Sequence, residues 1–130
     1  MIDVSCALIT DYNGQVLVTQ RSAVMHLPLK WEFPGGKVEP GESAEACLYR
    51  EIREELGVDI KILNPLPVSI YDQGDRIIRL LPFQCVLIGG EINLTEHAAF
   101  LWLLPEDLKK LDWAEADIPV VQYYLESLRA

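Results

Sequence analysis

The runs VSCALIT and QVLVT are apolar almost throughout and predict two β-strands. DYNG between them, with Asn13 and Gly14 suited to positive φ, predicts the turn of a hairpin. WEF predicts a short third strand. Pro34-Gly35 and Pro40-Gly41 follow, each suited to a type II turn, so the backbone is expected to loop between Phe33 and Ser43. The period then changes: Leu48, Ile52 and Leu56 recur every fourth residue. That spacing predicts a helix from about Ala44 to Leu56, opened by Ser43 as N-cap with Glu45 near the positive dipole end, and stopped by Gly57. IKIL, PVSIY, RIIRLLPFQCVLI (after the turn DQGD), EINL and FLWLL are β-like. Two shorter helices, PEDLKKL and about residues 118–128, end the pattern. Strands that outnumber and flank helices predict an α/β fold, a mixed β-sheet with helices packed on it.

At 130 residues and 50% hydrophobic content, the chain has room for one core and is too short for two ordinary ones, so residues 1–130 are expected to form a single domain. Its apolar runs fall short of the roughly 18–20 residues that span a bilayer. MIDVSCALIT lacks a basic flank and cleavage site, so a soluble, cytoplasmic protein with no membrane partner is expected. Cys6, Cys47 and Cys85 are too far apart for a zinc or redox motif and are expected as buried free thiols. A net charge of −9 with no basic stripe argues against a nucleic acid polymer. It does not argue against a small nucleotide, provided a divalent metal stands between carboxylates and phosphates.

The helix carries the candidate chemistry. Its apolar stripe must face the core, with Arg50 and Arg53 across from it. Glu51, Glu54 and Glu55 fall on the shoulder between, at the edge of a cleft. Like charges three and four residues apart repel by a few tenths of a kcal/mol per pair, roughly, so something is expected to compensate. The plain alternative is a solvated helix face with Arg50 and Glu54 as an i, i+4 pair. The neighbouring Gly35-Gly36 changes the balance: glycines allow close backbone approach and leave carbonyls unshielded, and Mg²⁺ and Mn²⁺ take carboxylate and carbonyl oxygens. Among other candidates, His26 and His97 are expected as loop residues without catalytic duty. Trp102 and Trp113 fit the core; the sequence assigns no aromatic to stack on a base, Tyr71 and Phe83 being the available ones, and it gives Arg76 no fixed role.

Gly36, Glu42, Arg50-Glu51-Ile52, Glu54-Glu55 and Gly57-Val58 reproduce the spacing G-x5-E-x7-R-E-U-x-E-E-x-G-U, with U aliphatic. This resembles the Nudix box of the Nudix hydrolases. WEFPGGK, Gln20-Arg21 and ADIPV extend the resemblance to the MutT-type and CTP pyrophosphohydrolase branch. The resemblance implies the Nudix α/β/α sandwich with its loop-helix-loop. It also implies an Mg²⁺-dependent enzyme, Mn²⁺ being the alternative cation, that converts an NTP or dNTP to the monophosphate and pyrophosphate. Carried over, Glu54 and Glu55 resemble metal ligands with a Gly35 or Gly36 carbonyl. Glu51 resembles a further ligand or the general base, with Glu54 or Glu96 as substitutes for the latter role. Glu96 resembles a carboxylate approaching the metal from a distant loop. Arg50 is expected to orient the glutamates, and Glu42 either to pair with it as a structural carboxylate or to take a catalytic role.

Arg21 and Lys37 are the candidates for phosphate contact. Asp117 is expected either to cap the last helix or to read the base. As an ionised acceptor it would select donors such as cytosine N4, favouring CTP-like or damaged pyrimidine nucleotides over 8-oxo-dGTP. The rivals of another class are a non-catalytic nucleotide-binding module and a protein-interaction domain. A monomer or homodimer fits either case.

Overall fold

The computed structural model describes residues 1–129. In chain order it forms β1 (Ile2–Thr10), β2 (Val16–Gln20), β3 (Trp31–Glu32), β4 (Gly35–Lys37), α1 (Ala44–Leu56), β5 (Asp59–Pro65), β6 (Ser69–Asp72), β7 (Ile77–Gly89), β8 (Ala99–Leu103) and α2 (Ile118–Ser127). Two short 3₁₀ helices, Pro105–Lys110 and Glu115–Asp117, lie before α2. β1 is the centre of the mixed sheet. It runs parallel to β7 from Ile2 opposite Ile78 to Thr10 opposite Val86, and antiparallel to β4, with Cys6 opposite Gly35. The sheet runs β3-β2-β1-β7-β5, with β4 also on β1, β6 on β7 and β8 on β2.

Both faces of β1 are covered, which is why its sequence is continuously apolar rather than alternating. Cys6 and Leu8 join Val16, Val18, Leu80 and residues of α2 in one core. Ala7 and Ile9 point the other way, to Leu17, Cys85 and the α1 stripe of Leu48, Ile52 and Leu56. Each of those three α1 side chains is fully buried and contributes roughly 1.5–3 kcal/mol. The helix begins where expected: the Ser43 side chain accepts from the Ala46 N–H at 3.0 Å. It ends at Gly57, in the left-handed region at φ 69°. The three cysteines are free and buried. No helix among the described residues is long and apolar enough to cross a membrane.

Four local expectations are corrected. Gly35 does not occupy the positive-φ corner of a type II turn; it pairs as β4 with β1, and a Cβ there would run into the Ser5 carbonyl oxygen. In the hairpin turn Gly14 alone takes positive φ, at 74°, and Asn13 does not. EINL is not a strand, because this segment caps α1: the Asn93 N–H donates to the Leu56 carbonyl at 2.9 Å and the Thr95 N–H to Glu55 at 3.2 Å, both otherwise orphan acceptors. PEDLKKL forms the 3₁₀ helix Pro105–Lys110 rather than an α-helix.

Candidate active site

Residues 38–43 fold back over α1 and bring Glu42 to Arg50. Arg50 therefore turns into this loop instead of lying opposite the stripe. Its Nε and Nη2 hold the two Glu42 oxygens at 2.8 and 2.9 Å, and its Nη1 donates to Glu51 Oε1 at 2.7 Å and Glu54 Oε2 at 3.4 Å. The Arg50 guanidinium, helped by the Glu39 N–H, holds the Glu42 carboxyl down to about 2. Arg50 thus supplies part of the charge compensation that the glutamates require. Glu42 is its partner.

Gly36 lies directly against Glu51, and the nearest atoms to a Cβ added at Gly36 all belong to the Glu51 side chain. Glu51 is 17% exposed, whereas Glu54 reaches outward at 60%. Glu55 is half-buried, and its Oε2 is a buried oxygen with no hydrogen-bond partner. Burial first, then the charges of Glu51, Glu32 and Glu96, push its carboxyl up to about 9. Among the described residues, no three acidic, cysteine or histidine side chains already converge on one point. Gathering them requires rotation of side chains that Arg50 now engages. The donor set nonetheless fits a hard divalent cation: an orphaned carboxylate oxygen at Glu55, acidic neighbours that raise its pKa, and a glycine backbone with no side chain to intervene. The cation would be held by Glu51, Glu54, Glu55 and Glu96 with a Gly35 or Gly36 carbonyl.

Beside this acidic wall is a cavity of about 360 Å³, lined by Gly35, Gly36, Lys37, Glu55 and Glu96 at one end. Its floor is apolar, from Val4 and Cys6 on β1 and Ile78 and Leu80 on β7, neighbours through the parallel pairing of those strands. Asp117 also lines the cavity. It makes no side-chain cap on α2; it is buried, and its Oδ2 accepts from the Phe33 N–H at 2.9 Å, so the capping expectation is withdrawn. Burial, then the nearby Glu32 charge, push the Asp117 carboxyl up to about 8.

Lys37 and Arg76 both line the cavity, and Lys37 makes no ion pair among the described residues. Arg21 lines it too, but its guanidinium is engaged: Nη1 with Glu32 Oε1 at 2.7 Å, Nε with the His26 carbonyl at 2.6 Å. Phe83 is buried in the α1-side core and Tyr71 lies on β6, and neither aromatic lines the cavity. Phe33, tilted against Trp113 with centroids 4.8 Å apart, does.

The sequence reading did not single out Phe33 or Glu32, and it gave His97 no role. Glu32 offered one signal, a carboxylate between two aromatics in a strand, where an ion needs a partner. His97 lies in a loop, as expected, and is buried there, its Nε2 3.0 Å from Glu32 Oε2.

A mixed sheet between two helical layers, with a glutamate-bearing helix packed against the glycine-bearing strand β4, is a fold that matches known hydrolases. The NUDIX domain profile matches residues 1–124, and the chain belongs to the NUDIX family. It is 37% identical to the CTP pyrophosphohydrolase of Escherichia coli K12 over 130 residues, all of this chain and 95% of that protein. It is 30% identical to the 8-oxo-dGTP diphosphatase of the same organism over 120 residues, 92% of this chain and 93% of that one. The solution structure of the E. coli ORF135 protein superposes with a TM-score of 0.86 at 36% identity, covering 100% of this chain and 91% of that one. The chain is a Nudix hydrolase of the MutT-like kind, a family that uses divalent metal ions.

Proposed function

We propose that this enzyme hydrolyses a nucleoside triphosphate, with Mg²⁺ as its cation, to the monophosphate and pyrophosphate, and that cytosine or modified pyrimidine nucleotides are its preferred substrates. The observation that carries the base preference is Asp117, buried, lining the cavity and anchored to the Phe33 N–H instead of to α2. A carboxyl pushed to about 8 keeps its proton at neutral pH. It then presents a donor as well as an acceptor, which suits cytosine's N4 amine and adjacent ring acceptor better than the ionised form would. The resemblance to a CTP pyrophosphohydrolase supports the same assignment.

In this reading Glu51, next to Gly36 and oriented by Arg50, accepts the proton of the attacking water, with Glu54 or Glu96 the substitutes. Lys37 is the local cation available to a phosphate, and the apolar floor excludes water from the base. Divalent cations bound by the carboxylates supply a more acidic water and shield phosphate charge. Incubating the protein with Mg²⁺ and a nucleotide panel, with pyrophosphate as readout, is expected to give fastest turnover of CTP or dCTP. Turnover of 8-oxo-dGTP alone would replace the base assignment; turnover of nothing would leave a non-catalytic module.

Asp117→Asn is expected to keep the KM for the cytosine nucleotide at neutral pH and to flatten its rise above about pH 8. The native folded pKa is raised from 3.8, so the native protein loses stability as pH climbs toward about 8, by up to about 1.4 kcal/mol per unit; the amide does not. Melting curves across that range and KM-against-pH profiles check both. An altered base preference at neutral pH would mean that the carboxyl acts ionised.

A further inference from the structure

We propose that His97 is a positioning residue: through Glu32 it holds two walls of the cavity, the one carrying Glu96 and the one formed by residues 25–27. The inference rests on the cation-dependent function above. Residues 90–98 form no strand. They are tied at one end to α1 through the Asn93 and Thr95 N–H groups, and at the other to β2 through the Ala98 N–H and the Gln20 carbonyl at 2.9 Å. Glu96 lies between these holds and faces the cavity. The next side chain, His97, is 2% exposed and reaches Glu32 Oε2 at 3.0 Å. A carboxylate only accepts, so Nε2 carries the proton. The other ring nitrogen, Nδ1, is buried without a partner, so the Glu32 bond alone orients the ring among the described residues.

Glu32 passes the constraint on. Its second oxygen takes Arg21 Nη1 at 2.7 Å, and Arg21 Nε takes the His26 carbonyl at 2.6 Å. That carbonyl belongs to a segment in which Leu27 and Leu29 both adopt positive φ, 53° and 62°. Leucines hold that conformation only where surrounding bonds impose it. Met25, His26 and Leu27 line the same cavity as Glu96. One chain of polar contacts, His97–Glu32–Arg21–His26, therefore spans both walls, and it uses the side chain next to the carboxylate that the cation needs. This arrangement also keeps Glu32 from swinging toward Glu55 or Asp117, each of which already feels its charge.

The test compares His97→Leu, which keeps bulk and removes the donor, with His97→Gln, which keeps an N–H near the place of Nε2. The readout is Mn²⁺ affinity of the nucleotide-free protein, from the electron paramagnetic resonance of unbound Mn²⁺, below the melting temperature of every variant. The Leu variant is expected to bind Mn²⁺ about tenfold more weakly, the scale for losing a support behind a metal ligand, and the Gln variant to recover most of that loss. If the Leu variant fails to fold, His97→Asn, polar but too short to reach Glu32, takes its place with the same expectation. Native protein that binds no Mn²⁺ would overturn the cation reading itself. Native protein that binds it alongside a Leu variant of equal affinity, or a Gln variant as weak as Leu, would overturn only the role of His97.

Discussion

Glu55→Gln is expected to raise the melting temperature of the cation-free protein while lowering Mg²⁺-dependent turnover by roughly 10² or more, the scale of losing one charge stabiliser in an active site. The two effects have one cause. Glu55 is partly buried, among Glu51, Glu32 and Glu96, and its carboxyl is pushed from 4.5 up to about 9. The unfolded chain ionises this group near 4.5, whereas the folded chain retains the proton. Between these values the folded state binds more protons, so stability is fully present at low pH and falls as pH rises toward about 9, by up to about 1.4 kcal/mol per unit. Glutamine has no such slope. The melting-temperature difference between variant and native protein should therefore be small near pH 4.5 and widen toward pH 9 in the presence of a chelator. Adding Mg²⁺ should stabilise the native protein more than the variant, because the orphaned Oε2 is an atom a cation would satisfy. A variant that melts below the native protein with an unaltered pH slope would show that Glu55 is an ordinary paired carboxylate.

The parts of this molecule that were legible in the sequence are those whose determinants are local. α1 carries its own start in Ser43, its buried stripe in Leu48, Ile52 and Leu56, and its stop in Gly57, so its bounds followed from neighbours a few residues apart. The opposite case is Gly35. Pro34-Gly35 is a good turn dipeptide by local rules, but the partner that makes it a strand is Cys6, remote in sequence. EINL alternates like a strand, yet its N–H groups are taken by the end of α1. The site divides in the same way. Glu51, Glu54 and Glu55 were visible from spacing within one helix. The apolar floor exists only because β1 and β7 pair in parallel, setting Val4 opposite Leu80. Asp117 looked like a cap because its local sequence permits one, whereas a main-chain N–H in the segment after β3 took its side chain. Glu32 and His97 had no shared signal, since each acquires its meaning from the other.

Gly35→Ala and Gly36→Ala, the same change at adjacent positions, are expected to fail in opposite ways. At Gly35 the new methyl meets the Ser5 carbonyl and the Cys6 Cα, main-chain atoms of the central strand. That strand is packed on both faces and cannot retreat, so a loss of about 3 kcal/mol or more, or no folded protein, is expected. At Gly36 the three atoms nearest the methyl all belong to the Glu51 side chain. That side chain can rotate away at the cost of its 2.7 Å bond to Arg50. The fold should lose about 1 kcal/mol, the scale of one hydrogen bond, while turnover drops about 10²-fold, as for a displaced general base. Chemical denaturation with single-turnover kinetics in Mg²⁺ separates the two outcomes. Gly36→Ala with native turnover would mean that Glu51 does its work from another position or does none, and the base would then be sought at Glu54 or Glu96. Turnover that falls only in proportion to the unfolded fraction would reduce both glycines to packing. The pairing of β4 with β1 puts Gly35 against the sheet and Gly36 against the helix, so a single two-residue stretch joins the stability of the central strand to the position of Glu51, the carboxylate proposed as general base.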